Sequence, residues 1–254
     1  MASIGTEETI LGIPFPAFAT SRLSLYAGPQ VTIRIGSANR EYNLPKALLC
    51  RQSPYFAAMF EGQFKEGEEQ STTLEEIEGV VSTRSFQMLA QWVMLGRIIF
   101  EDSPADEGIS AVIEFARFAD MCGLLDIEHL MAQRIEDVII ADAALRHDIC
   151  RRNPNANTYL ITSQHILSAV NLPVGHPVRN TLAMAAVEGY LLLDNHKFAE
   201  EYREIPGFAA DLLAAVRQTV KTISHGKYSV EFQEPLKGTI LSLQQVDPLG
   251  YTPV

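Results

Sequence analysis

The order of two periodicities limits the fold of this chain more than any other feature. Residues 31–35 alternate apolar and polar side chains, the period of a strand with one buried face. A turn is predicted at 36–39, where Gly and Asn tolerate the required backbone angles, and a return strand begins at 42–44. Apart from a third short strand predicted at 73–77, helical spacing then dominates. Strands grouped early and helices later indicate an α+β fold, not a doubly wound sheet.

Helix-boundary residues divide the helical part. Ser53 is a candidate N-cap with Pro54 at the first helical position, and Gly62 ends that helix. Residues 67–70 are interpreted as a charged loop. The other predicted helices are 46–50, a helix capped by Ser82 or Thr83 and ending at Gly96, about 108–121 ending at Gly123, about 126–140, a short one capped by Ser163, one opened by Pro177, and one opened by Pro206.

Composition excludes several classes of function. Thirty-one acidic and 20 basic residues give a formal net charge of −11, which argues against binding nucleic acid or an anionic membrane through bulk electrostatics. The three cysteines cannot form a closed disulfide framework. The first residues lack the charged and apolar regions of a secretory signal, and no apolar run is long enough to span a membrane. We therefore expect an intracellular protein of the cytoplasm or nucleus.

The sequence has no pattern that predicts catalytic residues, a metal site or a cofactor site. There is no Gly-rich phosphate loop and no zinc-protease or nucleophile-elbow pattern. His147 and Cys150 come closest to a metal or nucleophile pair, and ordinary residues are the competing interpretation. Cys50, Cys122 and Trp92 are predicted to lie in the core. We interpret the run Glu66-Gly67-Glu68-Glu69 as a solvated charged loop and not as a metal or acid/base cluster, because no aromatic or histidine flanks it.

Five sequence blocks resemble the BTB/POZ family, in the fungal type whose BTB domain precedes a helical C-terminal extension. The blocks are Val31–Gly36, Tyr42–Leu49, Arg51–Phe60, Gly62–Gly67 and a Phe86, Trp92, Leu95-Gly96-Arg97 pattern. Each block alone is weak, and their order and spacing carry the resemblance. Residues 172–179 and 208–213 also look like the helical part of such proteins.

The resemblance implies a domain organisation and a fold class. We expect an N-terminal arm at 1–22, a BTB/POZ-like domain at 23–141, a helical extension at 142–223 and a partly disordered tail at 224–254. The fold class is α+β: a small, mainly antiparallel sheet flanked by helices, followed by an all-α extension. In the tail, alternation around Val230 and Phe232 is compatible with an edge strand.

The resemblance further implies a non-catalytic module for protein–protein interaction, with neither nucleic acid, membrane nor small-molecule substrate as partner. A subset of the family are substrate adaptors that dock on the cullin scaffold of a ubiquitin ligase through a hydrophobic-x-Glu tripeptide. Phe64, Lys65 and Glu66 occupy that place here. An exposed Phe flanked by charge is an anchor for a partner pocket. The alternative is that Phe64 folds back onto its own core and Glu66 is solvated.

Two other functions stay open. One is a structural or scaffolding homo-oligomer without a ligase role, in which apolar arm residues pair with a neighbouring copy: Ile4, Ile10, Leu11, Phe15 and Phe18. The other is an enzyme with an unrecognised site. The chain also departs from many family members at Gln30, where they carry Asp, and at Pro45, where they carry His. Both positions contribute to buried polar and dimer-related features in the transcription-factor members.

Overall fold

The computed structural model describes residues 14–36, 40–100, 104–124, 126–147, 153–225 and 229–244. The chain divides into two compact units, Met1–Glu128 and His129–Val254. Among the described residues, no helix combines the length and the apolar character needed to cross a membrane.

The N-terminal unit contains a three-stranded sheet. Helices precede its first strand, separate its second strand from its third, and follow its third strand. Its elements are α1 (Phe15–Ser21), α2 (Leu23–Tyr26), β1 (Gln30–Ile35), β2 (Arg40–Pro45), α3 (Lys46–Gln52), α4 (Pro54–Glu61), α5 (Lys65–Glu69), β3 (Ser71–Leu74), α6 (Thr83–Leu95), α7 (Ala105–Cys122) and the first residue of α8 (Glu128–His147).

The sheet has the order β2-β1-β3, and the α+β class is confirmed. β1 pairs with β2 antiparallel and with β3 parallel, so the sheet is mixed where the resemblance implied a mainly antiparallel one. The parallel pairing follows from the three helices between β2 and β3, which provide the crossover that parallel strands need. β1 lies in the centre, and its inward side chains Val31, Ile33 and Ile35 are fully buried.

The helix boundaries follow from capping residues. Ser53 caps α4, and Ser82, not Thr83, caps α6 in a reciprocal pair of hydrogen bonds with Ser85. α7 begins at Ala105, earlier than predicted, and its acidic first turn suits the positive end of the helix dipole. α8 begins at Glu128, because Asp126 has a left-handed φ of 60° and stands outside the helix.

Aromatic and aliphatic side chains fill the core of this unit. Phe56 and Phe60 of α4 stack with their ring centroids 6.2 Å apart, and Trp92 is buried as predicted. Cys50 and Cys122 are also buried, as predicted. Burial raises the pKa of Cys50 to about 11 and that of Cys122 to about 12, so both thiols stay protonated at neutral pH.

The C-terminal unit is helical and ends in a second small sheet. It contains the rest of α8, a 3₁₀ turn (Ala156–Thr158), α9 (Ser163–Ala169), α10 (Pro177–Leu192), α11 (Ala199–Glu204), α12 (Pro206–Val220), β4 (Ser224–His225), β5 (Ser229–Gln233) and β6 (Ile240–Gln244). The strands form an antiparallel sheet of order β4-β5-β6. β5 includes Val230 and Phe232, where the sequence is compatible with a strand, but it is the central strand of this sheet and not the expected edge strand.

Three features of this unit differ from what the sequence indicates. α11 was not predicted, because its Ala-Glu-Glu-Tyr-Arg-Glu sequence has no apolar period. Thr162, not Ser163, caps α9, with its hydroxyl accepting from the N–H of His165. Val220 continues the spacing of Phe208 and Leu212, yet it is exposed while they are buried.

A buried ion pair joins α10 to α12 in this unit. The Nε of Arg179 donates to Asp211 at 2.7 Å, and both side chains are almost completely buried. The remaining guanidinium nitrogens donate to the carbonyl oxygens of Val170, Leu172 and Gly207 at 2.8–3.4 Å. One side chain thereby anchors the segment before α10, α10 itself and the start of α12.

Candidate protein-binding surface

The predicted partner residues lie at the junction between α4 and α5. α4 ends at Glu61, Gly62 follows as its C-cap, and Phe64 is the residue immediately before α5. The N–H groups of Gly67 and Glu68 donate to the carbonyl oxygen of Phe64 at 3.0 and 3.3 Å. Phe64, Lys65 and Glu66 thus form the start of a short helix.

Residues 67–69 are helical, so the predicted charged loop is wrong there. Packing against α4 supports α5, since five residues are too few for a helix to be stable alone. A Cβ added to Gly67 would lie 2.7 Å from the carbonyl oxygen of Gly62, a distance that side-chain carbons do not tolerate. Glycine at position 67 is therefore what allows α5 to lie this close to the end of α4.

Polar side chains fix both ends of this junction. The Nζ of Lys46 donates to the carbonyl oxygen of Phe60 at 2.8 Å, from the start of α3. Gln70 ends α5 in a left-handed conformation with φ 49°, and its amide donates to the carbonyl oxygens of Phe60 and Gly67. The backbone that carries Phe64 is thus held by contacts to α3, α4 and the first residue after α5.

Phe64 itself points outward. Sixty per cent of its surface is exposed, so it does not fold back onto the core of the unit. Its ring lies over Gly62, where an added Cβ would come within 3.0 Å of Cδ2. The ring is therefore restricted on one side and open on the other, as an anchor for a partner pocket needs to be.

Negative charge surrounds the ring. Glu61, Glu68 and Glu69 are exposed and Glu66 is half-buried. The one cation of the group, Lys65, forms an ion pair with Glu69 one helical turn away, with 3.3 Å between Nζ and Oε1. We call the side chains of Glu61, Phe64–Glu66, Glu68 and Glu69 the Phe64 surface.

Tyr55 is a neighbour of this surface that was not predicted from the sequence. Tyr55 of α4 is half-buried and lies close enough to Glu66 for that carboxylate to help raise the pKa of Tyr55, after burial and Cys122 as larger causes. The interpretation that no aromatic flanks the glutamates is therefore wrong for Glu66. The sequence signal for this position is the Ser53-Pro54 helix start, because it places Tyr55 in the first turn of α4, eleven residues before Glu66.

In the part of the chain that the structure describes, no group of three or more His, Cys, Asp or Glu side chains is placed to hold a metal ion. Cys150 lies outside the described residues, as does the side chain of His147, so their pairing stays untested. Cys50 and Cys122 are buried with raised pKa values, as described above.

Comparison with known families agrees with the fold. The family model of the BTB/POZ domain matches residues 27–134. The chain contains a BTB/POZ domain. The match runs from just before β1 into the first third of α8, and the BTB/POZ domain is a module for protein–protein interaction. No curated protein matched the chain. Gln30 and Pro45, where the sequence departs from many BTB members, are paired with each other across β1 and β2.

Proposed function

We propose that this BTB/POZ-domain protein is an intracellular substrate adaptor that docks on a cullin ubiquitin-ligase scaffold through Phe64, Lys65 and Glu66. The observation that carries the proposal is the exposed Phe64 ring on the rigid α4–α5 junction. Its position matches that of the hydrophobic-x-Glu tripeptide which the family resemblance implies.

Pre-organisation of the α4–α5 junction supports this function. A few buried aromatic anchors supply most of the binding energy of an interface, and an anchor that is already ordered loses little entropy on binding. Gly67 and Gln70 order the backbone at Phe64, and Gly62 restricts its ring. Glu66 stands two residues on, where its carboxylate is available to a donor at the rim of a partner pocket.

The test is a direct binding measurement with the full chain and purified cullin N-terminal domains. Phe64→Ala is expected to weaken binding about 30-fold, the loss of a typical hot-spot residue of about 2 kcal/mol. Glu66→Ala should weaken it by a smaller factor, since rim charges contribute less.

Ile99→Ala provides a matched control, because Ile99 is exposed to 58% in the same unit, close to the 60% of Phe64. The control should bind as tightly as the unmutated chain. The adaptor proposal would be overturned if no cullin N-terminal domain binds the unmutated chain, or if Phe64→Ala and Ile99→Ala behave alike.

A scaffolding homo-oligomer is the second candidate, and α1 favours it. The side chains described in α1 are exposed apart from the half-buried Phe18, which contacts Tyr26 with 6.2 Å between ring centroids. Ile4, Ile10 and Leu11 lie outside the described residues, as does the side chain of Phe15. Light scattering of the full chain, compared with Phe18→Ala, tests it: a mass that the substitution does not change argues against pairing through this arm.

A further inference from the structure

α12 has a second face that the C-terminal unit does not use. Its inner face, which includes Phe208 and Leu212, is buried within the unit. The opposite side is exposed along four turns and combines apolar with basic side chains. We call this the α12 outer face: Ala210, Leu213, Ala214, Arg217, Val220 and Lys221.

The side chains of this face are close neighbours on one helix surface. Leu213, Arg217 and Val220 are spaced four and three residues apart, so they adjoin one another along the helix. Leu213 and Val220 are each exposed to 47%, so two large apolar side chains two turns apart face solvent on the same side of the helix. The fold of the unit does not require them, because the inner face provides the packing against α10 and α11.

The charge of the α12 outer face is opposite to that of the chain. The chain carries −11, whereas Arg217 and Lys221 give this face +2. No Asp or Glu occurs in the sequence between Asp211, which is buried with Arg179, and Glu231. A partner that fits this face therefore has acidic side chains around an exposed apolar residue.

The Phe64 surface has that composition. Four glutamates and one lysine give it a net charge of −4 + 1 = −3, and Lys65 is paired with Glu69. Phe64 is the large apolar side chain at its centre. One copy of the chain thus presents both halves of a complementary pair: Leu213 and Val220 for the ring of Phe64, and Arg217 and Lys221 for the surrounding carboxylates.

We propose that the α12 outer face of one copy binds the Phe64 surface of a second copy. The contact joins two different surfaces, so a pair of copies keeps one unused surface of each kind, one on each copy, and association continues into open chains unless the geometry closes a ring. The contact also covers Phe64. Self-association therefore competes with any other partner of that surface, and this consequence alone rests on the proposed adaptor function.

Sedimentation of the purified full chain across concentration gives the first test. The average mass should rise with concentration. The apparent dissociation constant should increase about 10-fold or more from ~0.05 to ~0.5 M NaCl, because salt shortens the range of charge attraction to a few ångströms. A chain that stays monomeric at the highest concentration overturns the proposal.

Variants of the α12 outer face have matched controls in the same unit. Leu213→Asp should abolish association, whereas Leu167→Asp should not, since Leu167 of α9 is exposed to nearly the same extent, 46%. Arg217→Glu with Lys221→Glu should also abolish it, and Arg203→Glu on the exposed side of α11 should not. Circular dichroism checks that each variant is folded.

Mixing two defective variants gives the decisive result. Phe64→Asp spoils the Phe64 surface and leaves α12 intact, while Arg217→Glu with Lys221→Glu does the reverse, and the two altered surfaces, both negative, repel each other. Each should be monomeric alone, and the mixture should form a 1:1 dimer and nothing larger, because one intact contact remains. Association that survives either variant, or a mixture that stays monomeric, contradicts the proposal; failure to bind a cullin does not bear on it.

Discussion

In each unit, a buried polar side chain at the start of a helix connects distant parts of the described backbone, and the two side chains, Ser53 and Arg179, differ in charge. In the BTB domain, the hydroxyl of Ser53 accepts from the N–H of Phe56 and donates to the carbonyl oxygen of Cys122 at 2.6 Å. In the C-terminal unit, the guanidinium of Arg179 donates to Asp211 and to three carbonyl oxygens. Both connect a helix start to segments far away in sequence.

The difference in charge predicts how the stability of each unit responds to a substitution. Removing a neutral hydroxyl costs its hydrogen bonds and leaves one buried carbonyl without its partner. Removing one member of a buried ion pair leaves a charge in a low-dielectric environment, which costs more than the pair contributed. We therefore expect a single substitution at Arg179 to lower the stability of the C-terminal unit more than one at Ser53 lowers that of the BTB domain.

The largest effect is expected for Arg179→Met, which keeps the length of the side chain and removes its charge. It leaves Asp211 buried without its cation, so the free energy of unfolding of the C-terminal unit should fall by ~3–5 kcal/mol. Hydrogen exchange of the amides of α10 and α12, measured on the full chain, locates the loss.

The double variant Arg179→Met with Asp211→Leu is the control for this interpretation. Removing both charges should restore much of the lost stability, since well-packed apolar pairs can replace a buried ion pair. A double variant as unstable as the single one would show that the carbonyl contacts of Arg179, not its charge, determine the stability of the unit.

A smaller effect is expected for Ser53→Ala in the BTB domain. The substitution removes the cap of α4 and the bond to Cys122, at a cost of ~1–3 kcal/mol in the free energy of unfolding. Chemical denaturation followed by the fluorescence of the single tryptophan, Trp92, reports on this unit. If Ser53→Ala lowers the free energy of unfolding as much as Arg179→Met does, the charge of the buried side chain does not make the C-terminal unit the more sensitive one.

The structural role of Ser53 can be predicted from the sequence, whereas that of Arg179 cannot. Ser53 is recognisable because a cap followed by Pro54 is a local signal, as are the alternation that predicts β1 and the glycines that end α4, α6 and α7. Arg179 and Asp211 lie 32 residues apart, and nothing near either residue indicates that both are buried. Such a pair becomes visible only when the packing of α10 on α12 is known.

The candidate surface is also only partly predictable from the sequence. The tripeptide Phe64-Lys65-Glu66 is identified by its family resemblance, and its exposure follows from the geometry of α4 and α5. The helical state of α5 could not be predicted, because its charged side chains have no apolar period and its stability comes from the close approach of Gly67 to α4. The proximity of Tyr55 to Glu66 is likewise a property of that packing.

Thr162→Ala tests how much burial adds to the stabilising effect of a helix cap. Thr162 caps α9 of the C-terminal unit with the same geometry as Ser53, but its side chain is exposed. Its hydroxyl accepts from the N–H of His165 at 3.3 Å, and among the described residues it makes no bond to a distant carbonyl oxygen like that of Ser53 to Cys122. The expected loss is ~1 kcal/mol in the free energy of unfolding, the usual cost of a helix cap. A loss equal to that of Ser53→Ala would mean that the bond between Ser53 and Cys122 contributes nothing measurable.

The smallest effect concerns pH and is again expected in the C-terminal unit. His196 is buried against Tyr190 and Tyr202, with ring centroids 5.3 and 6.4 Å away. Burial, and then the charge of Arg203, lowers the pKa of His196 below its usual 6.5, while Glu201 acts in the opposite direction. The unfolded chain therefore binds a proton more readily than the folded unit, so this contribution to stability is present above about pH 6.5 and is lost as the pH falls toward the folded pKa. Denaturation at pH 7.5 and 5.5 should show a smaller pH dependence in His196→Gln than in the unmutated chain, and an equal dependence in both would assign the effect to other groups.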